Sequence, residues 1–306
     1  MSTGRSEESS QLRLAAELSG LSVGRVTVPQ DRHVRLRELE SHYLDWGAAG
    51  KLPLLFLHGG ALTAHSWDLV CLTLCEHYHC LALDLRGHGT SRATGGRAKP
   101  LDRLVSDLEA FVARLEIGRF ILVGQSLGGL IALLYASRHA EHLAGLVVIE
   151  AGPEARWQAA DRLARALMAM PAEFESIEAA VRRLHGLNPS IDSRLLHYRL
   201  SHNLRPLQDG GFTWNYDREN AYDMYRSISA SLEGLKDEVQ RIACPTLVVR
   251  GSRSRIFLDK HAESLARGVA QGCFTRVVGA GHNVQEDNPS GLVAAMRHWL
   301  KITAPA

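Results

Sequence analysis

Cysteine is scarce in this chain, with five residues (71, 75, 80, 244 and 273) among 306. An odd number spread over such a length excludes a disulfide framework. Long apolar runs are missing as well. None approaches the roughly 20 residues that a membrane-spanning helix needs, and the first ten residues are polar, without the apolar core of a signal peptide. A surplus of one charge is also absent. Lys and Arg number 35 against 33 Asp and Glu, a net charge of +2, which argues against nucleic acid or an anionic membrane surface as the main partner. These absences point to a cytoplasmic protein with a disordered tail over residues 1–12, acting on a small molecule. Assembly into a homo-oligomer is left open. The densest Cys/His stretch, Cys71 to Cys80 with His77 and His79, bridges the end of a helix and the start of a strand. It reads as small buried thiols beside surface histidines, and no metal or organic cofactor is expected.

What is present is a regular alternation. Apolar runs of strand length, Leu54–Leu57, Cys80–Asp84, Phe120–Val123, Leu146–Glu150, Cys244–Gly251 and Phe274–Gly279, are separated by stretches with helical spacing. One is Leu101–Leu115, with Leu104, Leu108, Phe111, Val112 and Leu115 on one face. Continuous apolar strands alternating with helices imply a mostly parallel sheet covered by helices on both faces. Alternation in Arg25–Val28 and Val34–Leu39, and a further run His42–Trp46, predict strands at the sheet edge. A last helix is expected from Ser290 to about Ile302. The pattern breaks after Gly152-Pro153. Residues 152–232 read as helical, near 155–170, 173–186 and 191–203, followed by the turn Leu207–Gly211. They hold ten basic and ten acidic residues. The spacing predicts a core of 13–151 and 233–306 with a helical lid at 152–232, inserted over the strand ends where ligands of such sheets bind.

The chemistry gathers around Gly124-Gln125-Ser126-Leu127-Gly128. A serine hydroxyl becomes a useful nucleophile only when it is exposed, aimed and deprotonated by a neighbour. A sharp turn between a buried strand and a helix aims it, and small flanking residues let the backbone pass close by. With His58-Gly59-Gly60, Asp84-Leu85-Arg86-Gly87-His88-Gly89-Thr90-Ser91, Pro245–Gly251 and Gly279-Ala280-Gly281-His282-Asn283 in this order, residues 23–302 closely resemble the lidded α/β-hydrolase superfamily. The branch they resemble includes esterases, lactonases and C–C bond hydrolases.

The resemblance implies Ser126 as nucleophile and His282 as general base, following the serine in chain order on a glycine-rich loop. It implies an oxyanion hole from the N–H groups of Gly60 and Leu127, the latter at a helix start. His58, Asp84, Arg86 and His88 are assigned to loop bracing. The triad acid departs from the usual pattern. The family places an Asp shortly after the glycine equivalent to Gly251, and here Arg255 is read at that place, where a guanidinium cannot orient an imidazole. Glu150, 24 residues after Ser126 at the end of the next strand, is the expected acid. Asp259, which reads better as a first-turn helix residue, is the alternative, and absence of a working acid is the third possibility. Arg156 and Trp157, just after the hinge, are the expected lid contacts to substrate. Trp214, Tyr216, Tyr222 and Tyr225 are read mainly as lid packing.

A serine hydrolase of an ester or lactone follows from this reading. C–C bond or amide-type cleavage of a small carboxylated metabolite is one alternative. A non-hydrolytic binding protein on the same scaffold is the other, because fold alone does not settle function.

Overall fold

The protein is described here by a computed structural model covering residues 2–93, 101–155, 168–218 and 234–303, together with 162, 165 and 232. Its centre is a sheet of nine strands: β1 (Gln30–Arg35), β2 (Leu39–Asp45), β3 (Pro53–Leu57), β4 (His79–Leu83), β5 (Arg92–Ala93), β6 (Phe120–Gln125), β7 (Leu143–Ile149), β11 (Thr246–Gly251) and β12 (Gly272–Val277). The order is β1-β2-β4-β3-β6-β7-β11-β12, with β5 against β2. From β4 to β12 all neighbours are parallel, while β1, β2 and β5 pair antiparallel. Strands β6 and β7 are buried at every position, as parallel strands covered on both faces must be.

One cluster of buried side chains includes Leu55, Leu57, Leu122 and Val148 with Leu104, Leu108 and Phe111 of α3 (Leu101–Arg114). The other joins Phe56, Val123, Val147 and Val249 to Trp67, Met296 and Trp299. This is the expected sheet with helices on both faces. The terminal helix runs Pro289–Thr303.

Three expectations need correction. Residues 2–12 are not a disordered tail, because Ser2–Leu18 forms a helix, α1. Leu12, Ala15 and Ala16, spaced for one helical face, are buried in the second cluster. That packing against α2 (Asp68–Leu74) and the helix Ser193–Asn203 fixes the helix and carries its polar first turns along. At the sheet edge, Arg25–Val28 is not a strand. The first strand is β1, and Leu36–Glu38 turns the chain into β2, with Leu36 N–H bonded to Leu39 C=O at 2.8 Å.

The segment 152–232 is the third case, since it is not purely helical. Besides the helices Ile177–Leu187 and Ser193–Asn203 it holds a three-stranded antiparallel sheet of β8 (Glu173–Phe174), β10 (Phe212–Trp214) and β9 (Leu204–Pro206). Gly210 and Gly211, with φ of 93° and 78°, reverse the chain between β9 and β10, a conformation glycine adopts without a Cβ penalty. The segment has a small core of its own, from Phe174, Ala180, Leu196, Leu200, Leu204 and Trp214. Most of the helix expected near 155–170 lies outside the described residues.

Candidate active site

Ser126 sits between β6 and α4 (Leu127–His139) with φ 51° and ψ −113°. Non-glycine residues hold such a backbone only where the surroundings enforce it. The flanking glycines show how. A Cβ on Gly124 would lie 2.2 Å from the carbonyl oxygen of Gly128, and one on Gly128 would lie 2.3 Å from that of Leu57. The turn thus presses β6, α4 and β3 together and leaves the serine at the strand end.

His282 reaches Ser126 from the loop after β12. Its Nε2 lies 2.9 Å from Ser126 Oγ and its Nδ1 lies 3.0 Å from Glu150 Oε2. An ionised carboxylate only accepts, so Nδ1–H donates to Glu150 and Nε2 is left to accept from the serine. The loop's path over β11 depends on Gly251, where a Cβ would meet the Gly281 carbonyl oxygen at 2.1 Å. Asp287 Oδ2 accepts Gly281 N–H at 2.7 Å, and Gln125 Nε2 donates to the His282 carbonyl at 2.9 Å.

Glu150 follows β7 directly and is 1% exposed. It also has a positive φ, 56°. A carboxylate buried this deeply needs every oxygen partnered. Oε1 accepts Gly251 N–H at 2.8 Å. Oε2, which faces His282, also accepts a short hydrogen bond from Ser254 Oγ. The loop residue turned toward the acid is therefore Ser254, whereas Arg255 is exposed, so the sequence reading of that loop was one residue out of register. Ser254, Gly251 and Gln125 were missed as partners of the site. The one hint, for Ser254, was the pair of serines at 252 and 254 in the loop after Gly251.

Asp259 belongs to a different arrangement. It is the first residue of the helix Asp259–Gly268, and it pairs with Arg250 at 2.7 Å and with Arg276 at 2.8 Å. Burial opposes its ionisation, but the two guanidiniums outweigh this and hold its pKa below the usual carboxylate value.

The amide of Leu127 opens α4, where the first N–H groups lack intrahelical acceptors. The His58-Gly59-Gly60 turn lies alongside, close enough that a Cβ on Gly59 would touch Ser126 Cβ at 3.3 Å. The amides after Gly60 are engaged, Ala61 N–H with His88 Nε2 at 3.2 Å and Leu62 N–H with Gly59 C=O at 3.3 Å. Arg156 and Trp157 lie outside the described residues.

The bracing residues form one connected group. Asp84 accepts the N–H groups of Ala64 and Thr90 and the Nδ1–H of His42. His58 accepts Leu85 N–H at 3.0 Å. Burial, with His58 alongside, pushes the His88 pKa down to about 3, so the ring is neutral and can accept the Ala61 amide. Arg86 forms a two-bond pair with Asp107. The same loop ties down the end of the inserted segment, with Gly89 N–H bonded to Asn215 C=O and Asp217 N–H to Gly87 C=O.

A parallel sheet whose serine stands on a strained strand-to-helix turn, with a histidine from the last strand's loop beside it, is the architecture of a hydrolase. The family model of the alpha/beta hydrolase fold matches residues 53–289, and the chain belongs to that family. An esterase of Mycobacterium tuberculosis, Rv0045c, is 32% identical over 266 residues, spanning 84% of this chain and 85% of that protein. A solved structure of that esterase aligns with a TM-score of 0.77 and 29% identity, covering 95% of this chain and 97% of that one. The solved structure of E-2-(acetamidomethylene)succinate hydrolase aligns with a TM-score of 0.80 at 24% identity, over 89% of this chain and 99% of that one, a likeness of fold. Among the described residues, no helix is long and apolar enough to cross a membrane.

Proposed function

We propose that this hydrolase opens an ester or lactone bond of a small organic substrate through an acyl-enzyme formed on Ser126. The observation that carries the reading is the unbroken hydrogen-bonded line from Ser126 Oγ through the His282 ring to the Glu150 carboxylate. Ser126 Oγ attacks the carbonyl carbon as its proton passes to His282 Nε2. Glu150 keeps the other ring nitrogen protonated and offsets the imidazolium charge. The oxyanion accepts hydrogen bonds from the Gly60 and Leu127 amides. The acyl C–O bond then breaks, and His282 returns the proton to the departing alkoxide. In the second half, His282 deprotonates a water that attacks the acyl carbonyl, which releases the acid and restores the serine. Similarity to an esterase favours an oxygen ester over a carbon–carbon bond. Residues 152–232 act as a lid over these strand ends, a role that their separate small core and the backbone ties at 215–217 support.

The test is labelling with a fluorophosphonate probe, read by peptide mass spectrometry, beside a panel of esters, lactones, amides and vinylogous diketones. The expected result is a single label on Ser126 and turnover confined to esters or lactones. A folded protein that never takes the label contradicts the reading, and turnover of diketones alone contradicts the substrate class.

A further inference from the structure

The inserted segment also meets the core through a polar cluster that the proposed chemistry does not use. His65 lies in the short 3₁₀ turn Ala64–Trp67, and Asp68 follows as the first residue of α2. His202 is contributed by the helix Ser193–Asn203 of the inserted segment. The two imidazole rings stack with centroids 3.8 Å apart, and His65 Nδ1 lies 2.9 Å from Asp68 Oδ2. Tyr198, one turn before His202, donates its hydroxyl to the same Oδ2 at 2.6 Å. Asp68 is 2% exposed, yet its other oxygen, Oδ1, is buried without a hydrogen-bond partner. Such an oxygen is costly to leave unmatched, and a cation is one group that matches it.

One donor atom from each of His65, Asp68 and His202 falls within 4.8 Å of the others. Two imidazole nitrogens with one carboxylate oxygen are a donor set for borderline divalent ions. Ligands about 2.0–2.2 Å from a tetrahedral ion lie roughly 3.3–3.6 Å apart, so closure asks for a movement of about 1 Å, within reach of a rotation of the imidazoles. Glu8, Asp31 and Asp84 act electrostatically on the same cluster, and their negative charge favours a cation there. The Tyr198 ring packs edge-on against His202, with centroids 4.9 Å apart.

We propose that His65, Asp68 and His202 form a binding site for a divalent transition-metal ion such as Zn²⁺ or Co²⁺, and that the bound ion ties the inserted segment to the core. Tyr198 sets the carboxylate in place by occupying Oδ2, as partners of metal-binding groups commonly do. Because two of the donors belong to the core and one to the inserted segment, binding is linked to the docking of that segment. Occupancy therefore stabilises the docked state.

The test uses full-length protein stripped with a chelator and dialysed into metal-free buffer, then titrated with Co²⁺ by visible absorption and with Zn²⁺ by calorimetry and thermal melting. One tight equivalent is expected, with a Co²⁺ spectrum of low coordination number and a melting temperature that rises with Zn²⁺. His202→Ala and Asp68→Asn should each weaken binding by about 10–100-fold and remove the thermal response. The one other His-containing cluster among the described residues, His139, Glu141 and His142, is on the surface. The double variant His139→Ala/His142→Ala should keep the tight equivalent. Unchanged Co²⁺ binding in folded His202→Ala protein overturns the proposal. So does loss of the equivalent in the His139/His142 variant, or the absence of saturable binding in the parent chain. If Asp68→Asn fails to fold, His65→Gln together with His202→Ala decides the matter.

Discussion

Two carboxylates follow neighbouring parallel strands, one directly and one at the start of the next helix, and they are held in opposite ways. Glu150, after β7, is buried and meets an imidazole, a serine hydroxyl and a backbone N–H. Asp259, just beyond β11, has a side chain 39% exposed and meets two guanidinium groups. A guanidinium stays charged at every working pH, so Asp259 is locked in a permanent ion pair and has no bearing on a histidine. Among the described residues, the ion-pair partner of Glu150 is His282 and no guanidinium or ammonium group. That partner becomes cationic only when His282 takes up a proton, which is when the mechanism proposed above calls on the carboxylate. Glu150 follows the strand beside the serine strand and Asp259 lies one strand further out, and the chemistry of their partners separates the two residues further.

The comparison can be broken by substitution. The largest effect is expected at the end of the line that Glu150 serves. Ser126→Ala should lower kcat by on the order of 10⁴–10⁶ with the fold intact, measured by steady-state ester hydrolysis and circular dichroism. Residual activity within tenfold would remove the nucleophile and the role of Glu150 with it. Next, Glu150→Gln should cost on the order of 10²–10⁴ in kcat, since the amide can lend no charge to the imidazolium. Ser254→Ala removes one charge-assisted hydrogen bond to the same carboxylate, and a drop in kcat of about tenfold is expected with KM unchanged. Asp259→Asn should leave kcat within about tenfold. Its cost falls on stability, about 1 kcal/mol by urea denaturation, the ordinary scale for a half-exposed ion pair. A kinetic loss at Asp259 exceeding that at Glu150 would invert the assignment.

A smaller effect sharpens the rule at a carboxylate pair that touches no reacting atom. His42 bridges Asp84 and Asp31. Burial disfavours its charged form, but the hydrogen bonds to Asp31 and Asp84 outweigh it and raise its pKa from 6.5 to about 9. A group whose pKa is raised on folding binds its proton more tightly in the folded state. Its contribution is complete below about pH 6.5 and is lost as the pH rises through about 9. Melting temperature should therefore decline over that window, and the decline should shrink in His42→Gln. A parent protein equally stable at pH 6.5 and 9 would contradict the pairing.

Much of the frame was legible in the sequence because parallel strands buried on both faces must be continuously apolar. Phe120–Val123 and Leu146–Glu150 announced themselves in this way, and the glycine spacing around Ser126 marked the turn between strand and helix. Glu150 is put forward from the sequence because some members of the family that the chain resembles carry the acid at the end of the strand after the serine's helix, and Glu150 directly follows β7. What escaped was set by distant partners. Helix α1 begins with polar residues, and only its packing on helix Ser193–Asn203 shows that Leu12, Ala15 and Ala16 form a face. The hairpin of β9 and β10 lay inside a stretch of mostly helical spacing. The register of the loop after β11 was misread by one residue because it is fixed by Arg250, whose buried guanidinium takes the carbonyls of Ser254 and Phe257. No local pattern reveals that Ser254 rather than Arg255 turns inward.

The claim that Glu150 orients His282 is tested most directly by proton NMR of the exchangeable ring proton on His282 Nδ1, assigned by its loss in His282→Gln. The expected signal is strongly downfield in the parent enzyme, moves upfield in Glu150→Gln and stays in place in Asp259→Asn. A signal unmoved by Glu150→Gln, or displaced by Asp259→Asn, would contradict the assignment.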